Sequence, residues 1–99
     1  MKIDEKSQKR IIHILTDIFP GTLLYYVGQS AKKSDAYGKL PEIDIALDLG
    51  RIIGQKDLQE AQRALAETDI PYTIFLFDLQ AVSEHERKKM IEKAQAWKL

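Results

Sequence analysis

The stretch VGQSAKKSDAYGKLPEIDIALDL, residues 27–49, has two textures. Its first two residues close an apolar run, TLLYYV at 22–27, that ends on Gly28. Aliphatic, β-branched and aromatic side chains of this kind suit a pleated surface, so Thr22–Val27 is expected to be a strand. From Gln29 to Pro41 the chain is polar, with Gly38 and Pro41 as breakers, and reads as a loop holding at most one helical turn. From Ile43 to Leu49 it alternates. Ile43, Ile45 and Leu47 fall on one parity, and Asp44, Ala46 and Asp48 on the other. A period of two marks a second strand with one apolar face.

The flanks complete the pattern. Before this stretch, Ile11, Ile14, Leu15 and Ile18 recur at helical spacing between Asp4 and Phe19, and Pro20-Gly21 stops the run. After it, Leu58, Ala61 and Leu65 mark a helix over Asp57–Thr68, ended by Ile70-Pro71. Tyr72–Leu79 (YTIFLFDL) is nearly all apolar and is expected to be a third strand covered on both faces. Ser83 and Glu86 have capping-box spacing. The helix behind them is expected to bury Met90, Ile91, Ala94 and Trp97. The order α-β-β-α-β-α predicts an α/β (α+β) fold, a small mixed three-stranded sheet flanked by helices.

Length and composition bound the rest. Ninety-nine residues suit one domain spanning 1–99. Fifteen basic and fifteen acidic residues cancel, so no global field recruits nucleic acid or an anionic membrane. There is no cysteine, hence no disulfide framework or thiolate zinc site. The opening MKIDEKSQKR has no apolar core of a signal peptide, and no apolar run is long enough to span a bilayer. A cytoplasmic location is the expectation.

The chemistry of interest lies at Glu42-Ile43-Asp44. Residues two apart on a strand project from one face, so the two carboxylates stand together and repel unless a cation intervenes. Mg²⁺ prefers such oxygen ligands, shared with substrate phosphates. A solvated pair of carboxylates is the commoner outcome of an acid-x-acid triplet, so the setting must decide. Gly28 ends the preceding strand and lets a phosphate approach its backbone without meeting a Cβ. Lys32, Lys33 and Lys39 follow in the loop. Each is more simply read as a solvated side chain. His13 and His85 have no ligand-spaced partners. Tyr25, Tyr26, Tyr72, Phe75 and Phe77 read as sheet packing rather than base stacking. No nucleophile–base pair for covalent catalysis is evident.

Taken together, residues 27–49 resemble the signature of the minimal nucleotidyltransferases (MNT) of the DNA polymerase beta superfamily. That signature is hydrophobic-Gly-Ser, a polar loop, then acid-hydrophobic-acid-hydrophobic. Gly28 matches the glycine, and Glu42 and Asp44 match the acids. IPYTIFLFDLQAVSEHERKKMIEKAQAW, residues 70–97, is similar to the family's third strand and final helix. The resemblance implies the nucleotidyltransferase fold, with the second strand central. It also implies Mg²⁺-dependent transfer of a nucleoside monophosphate from an NTP to an acceptor hydroxyl. Glu42 and Asp44 would be the catalytic, metal-holding acids, and Gly28 with Gln29 or Ser30 would seat the triphosphate. Many small members pair with a helical HEPN-type protein, in some cases as the antitoxin of a toxic RNase.

Three departures stand against that signature. Gln29 occupies the usual serine position, with Ser30 one place later. The loop to the acids is somewhat long. The third acid of the family falls at Phe75, and Asp78, three residues on, should face the other side of its strand. The resemblance with these losses implies weak or absent transfer. The alternative is a binding module or antitoxin that pairs with a HEPN-type protein or with itself.

Overall fold

The computed structural model describes residues 3–29 and 41–98. Helix α1 (Glu5–Ile18) starts at Asp4, whose carboxylate accepts from the Ser7 amide at 3.0 Å. It buries Ile11, Ile12 and Leu15. It ends where the Phe19 amide donates to the Leu15 carbonyl, and Gly21 makes the turn at φ 87°. Then come β1 (Leu23–Gln29), β2 (Glu42–Asp48), α2 (Gln55–Ala66), β3 (Thr73–Asp78), α3 (Glu84–Lys93) and β4 (Gln95–Trp97).

The sheet order is β3-β2-β1-β4, so β2 is interior, as the resemblance implied. It runs antiparallel to β1 and parallel to β3. The parallel pair needs a crossover, which α2 supplies. One sheet face is the core. Ile43, Ile45 and Leu47 of β2 join Ile74 and Leu76 of β3, Leu24 of β1, Ile11 and Leu15 of α1, and Ala61 and Leu65 of α2. The period-two reading of residues 43–49 therefore names the buried face correctly.

Two expectations are corrected. First, β3 is not covered on both faces. It lies at the sheet margin, and its burial alternates, with Thr73, Phe75 and Phe77 exposed against Ile74, Leu76 and Asp78 buried. The aromatic residues hid a simple alternation. The outward amide of Leu76 donates to Gln62 Oε1 of α2 at 3.0 Å.

Second, the final helix stops at Lys93, and the sheet has four strands rather than three. Ala94 takes extended angles, φ −94° and ψ 158°. The chain then pairs antiparallel with β1, with Trp97 opposite Leu24. Trp97 is buried and stacks on Tyr26, ring centroids 5.5 Å apart and planes 7° from parallel. The reason is energetic. None of the residues of α3 is buried, so another turn would gain little, whereas the strand hides a large indole and satisfies the open edge of β1.

Because α3 has no buried anchor, its cap matters. The Glu86 amide donates to Ser83 Oγ at 3.2 Å, as its spacing predicts. The return arm is a hydroxyl–carboxylate contact of 3.4 Å rather than a backbone bond. Ser83→Ala should lower unfolding free energy by about 1 kcal/mol, read as a lower urea midpoint at unchanged slope.

Candidate functional site

The site face is the side of the sheet opposite the core. Its layout follows from a bulge in β1. Tyr26 pairs with Ile45 but Gly28 pairs with Asp44, so Val27 is an extra residue between them. Gly28 has φ 157°, a value side chains rarely adopt, and among the described residues a Cβ there would meet nothing within 4 Å.

Across the other flank of β2, Asp44 pairs with Phe75 of β3. One row thus reads Gly28, Asp44, Phe75 over three adjacent strands. The next row reads Tyr25, Ala46, Phe77. Glu42 lies two residues before Asp44, opposite Thr73. Glu42 and Asp44 are half-buried, while Phe75 and Phe77 are 38% and 40% exposed. Gln29 pairs with Ile43 in the backbone register. Ser30, Lys32, Lys33 and Lys39 lie outside the described residues, so the structure brings together Gly28, Glu42 and Asp44 from the predicted set.

Burial pushes the Asp44 carboxyl above the usual aspartate value, and the Glu42 carboxylate adds to the effect. Burial also raises the Tyr26 phenol, with the charges of Tyr72 and Asp44 contributing. A raised carboxyl means that the folded state holds its proton more tightly than the unfolded chain does. The favourable contribution is then fully present below the ordinary aspartate value of 3.8 and is lost as pH rises through the folded value. Asp44→Asn should therefore raise the melting temperature at pH 7 in metal-free buffer, with the difference shrinking towards pH 3. Equal melting temperatures across that range would show that Asp44 feels neither burial nor Glu42.

The donor set fits one hard cation between two carboxylates, since charge repulsion at Asp44 is what a cation relieves. It does not extend further. Among the described residues, no group of three or more His, Cys, Asp or Glu side chains is placed to hold a metal ion.

The other aspartates have structural work. Asp78 is 6% exposed and lies on the core parity of β3. Its Oδ2 accepts from the Ile53 amide at 2.6 Å and its Oδ1 from the Gln80 amide at 3.0 Å. Its role as an anchor was not foreseen, although a charge on the parity of Ile74 and Leu76 was a signal for it. Asp48 accepts from the Gly50 amide and from Gln80 Nε2, both at 3.0 Å.

No protein-family model matches the chain, and no curated protein matches it. Solved structures do. One is the MNT antitoxin in complex with the tri-AMPylated HEPN toxin of Shewanella oneidensis. It is 22% identical, the match covers 96% of this chain and 72% of that one, and the TM-score is 0.71. The toxin–antitoxin pair MntA–HepT matches at 20% identity, over 97% and 74% of the two chains, with a TM-score of 0.72. The chain has the nucleotidyltransferase fold of the MNT antitoxins. A toxin–antitoxin structure with AMP-PNP also matches, at 22% identity, 93% and 73% coverage and a TM-score of 0.69. The three matches cover 93–97% of this chain and 72–74% of the chains they match. Among the described residues, no helix is long and apolar enough to cross a membrane.

Proposed function

We propose that this chain is a nucleotide-binding protein of the MNT type with weak or no transferase activity, acting in the cytoplasm by pairing with a helical HEPN-type protein. The observation that carries the reading is the pairing of Asp44 with Phe75. A phenyl ring stands beside the retained acid where the resemblance leads one to expect a third carboxylate. Phosphoryl chemistry of this kind depends on positioning and charge neutralisation, so a lost acid is felt directly.

Glu42 and Asp44 would hold a single Mg²⁺, which when bound neutralises charge on the triphosphate. The Gly28 backbone, which has no Cβ to keep a phosphate away, would seat the triphosphate with Gln29 or Ser30. Pairing with a partner is supported by the solved complexes, in which the MNT antitoxin is bound to a HEPN toxin. Nucleotide binding is supported by the complex with AMP-PNP.

Titration of Mg²⁺ with AMP-PNP should give binding that Asp44→Asn removes, while labelled-ATP transfer stays at background. Co-expression with a short helical protein encoded beside it should give a complex that survives Mg²⁺ chelation. Self-association is the other outcome that pairing allows, read by the mass of the purified chain. Robust transfer by the native chain, abolished by Asp44→Ala, would make it an ordinary transferase and overturn the reading.

A further inference from the structure

We propose that α3 and β4 form a strap that opens as one unit, is latched by Trp97, and when closed holds Gly28 in register with Asp44. This holds whatever the Gly28 turn binds.

The segment from Glu84 to Trp97 is fastened mainly at its far end. No α3 side chain is buried. Met90, Ile91 and Ala94 are only half-buried along one side of the helix. Near the start, Arg87 Nε donates to the Leu79 carbonyl at 2.9 Å. The ion pair Lys88–Glu84 joins two exposed residues of the same helix, so it ties α3 to nothing else. At the far end β4 pairs with β1 through three residues and supplies one buried side chain, Trp97, 5% exposed. Trp97 is the segment's sole member of the buried core, and the other core residues fall between Ile11 and Leu76. Opening the segment therefore leaves the core intact but for one indole. A unit with so few buried contacts opens with a free energy of its own, below that of global unfolding.

The strap's pairing ends where β1 turns irregular. Trp97 pairs with Leu24, Ala96 with Tyr25 and Gln95 with Tyr26. Tyr26 is also the last residue before the bulge, opposite Ile45. Val27 is the extra residue, and pairing resumes with Gly28 opposite Asp44. Tyr26 is thus clamped by backbone pairing on both flanks, and its ring is stacked on Trp97 with centroids 5.5 Å apart. A bulge leaves one residue out of the ladder, so its position is set by what holds its neighbours. With the strap closed, Tyr26 cannot slide along β2, and the extra residue must fall at Val27. With the strap open, β1 becomes a marginal strand with one partner and Tyr26 loses its stack. The extra residue is then free to migrate, and Gly28 leaves its place opposite Asp44. The strap thereby governs, from the other flank of β1, the meeting of glycine and acid on the site face.

The test uses the full chain. Trp97 is the single tryptophan, so its emission reports the latch directly. In urea that emission should shift to the red at a lower midpoint than the loss of the Ile43, Ile45 and Leu47 amide signals. Without urea, the amides of Met90–Lys93 should exchange at one common rate, about tenfold or more faster than those of the three β2 residues. Trp97→Ala should strip protection from Met90–Lys93 and keep it in α1 and β2. It should also erase the cross-strand nuclear Overhauser contact between Gly28 and Asp44 while leaving the one between Leu24 and Leu47. Trp97→Phe, which keeps a ring for Tyr26, should restore the Gly28–Asp44 contact. Coincident midpoints with equal exchange rates in the native chain overturn the proposal. So does a Trp97→Ala variant that unfolds as a whole, since the strap would then be part of one cooperative core. A Gly28–Asp44 contact that survives with the strap open overturns its control of the register.

Discussion

Phe75→Asp is expected to raise labelled-nucleotide transfer on the order of a hundredfold over the native chain, the converse of the loss when one preorganised charge-stabilising group is removed. The register makes this substitution unusually direct. Position 75 is paired with Asp44 across parallel strands, so the new carboxylate would stand on the same face, beside the pair already present. Phe75 is exposed, so little packing is lost. A third carboxylate also adds repulsion in the absence of metal. The variant should therefore melt lower than the native chain in chelator, and Mg²⁺ should raise its melting temperature by more than it raises the native one. Adding Gln29→Ser, which restores the remaining motif residue, should increase transfer again. A variant with background transfer and no larger response to Mg²⁺ would show that position 75 is not where a third acid works in this fold.

The second large effect concerns stability. Asp78→Ala should destabilise the chain by about 3 kcal/mol, lowering the urea midpoint steeply. The carboxylate is buried, and it accepts from two amides, Ile53 at 2.6 Å and Gln80 at 3.0 Å. Removing it leaves both donors without that acceptor, each at a cost of about 1–3 kcal/mol when water cannot replace it. The Ile53 amide belongs to the connection between β2 and α2, and Gln80 follows β3, so one side chain ties both segments. Asp48→Ala should cost less, since its Gly50 bond is exposed. If Asp78→Ala matches the native midpoint, the two amides have found water and the anchor is dispensable.

What the sequence showed depended on periodicity and breakers. The second strand was legible because Ile43, Ile45 and Leu47 alternate with polar or small residues, and β2 forms within one residue of its expected start. That Glu42 and Asp44 share a face follows from their spacing alone. Their relation to Gly28 did not, because the bulge at Val27 shifts the register by one residue. Phe75 and Phe77 looked buried because aromatic residues usually are, and only the sheet order showed β3 to be at the margin. β4 was missed because Met90, Ile91, Ala94 and Trp97 fit a helix. The stacking of Trp97 on Tyr26 is a tertiary contact, and no local signal at Ala94 announces the change.

The placement of Gln62 has a further consequence. A marginal strand with bare amides invites another chain to extend the sheet, and one carrying two exposed phenylalanines does so more strongly. Gln62 Oε1 already occupies the Leu76 amide at 3.0 Å, midway along that strand. A carboxamide there acts as a stopper. It interrupts the ladder that an incoming strand would have to form, so neighbouring copies cannot add edge to edge without first expelling it. The chain can therefore carry two exposed phenylalanines on this strand while resisting the sheet-to-sheet growth that such a surface would otherwise promote.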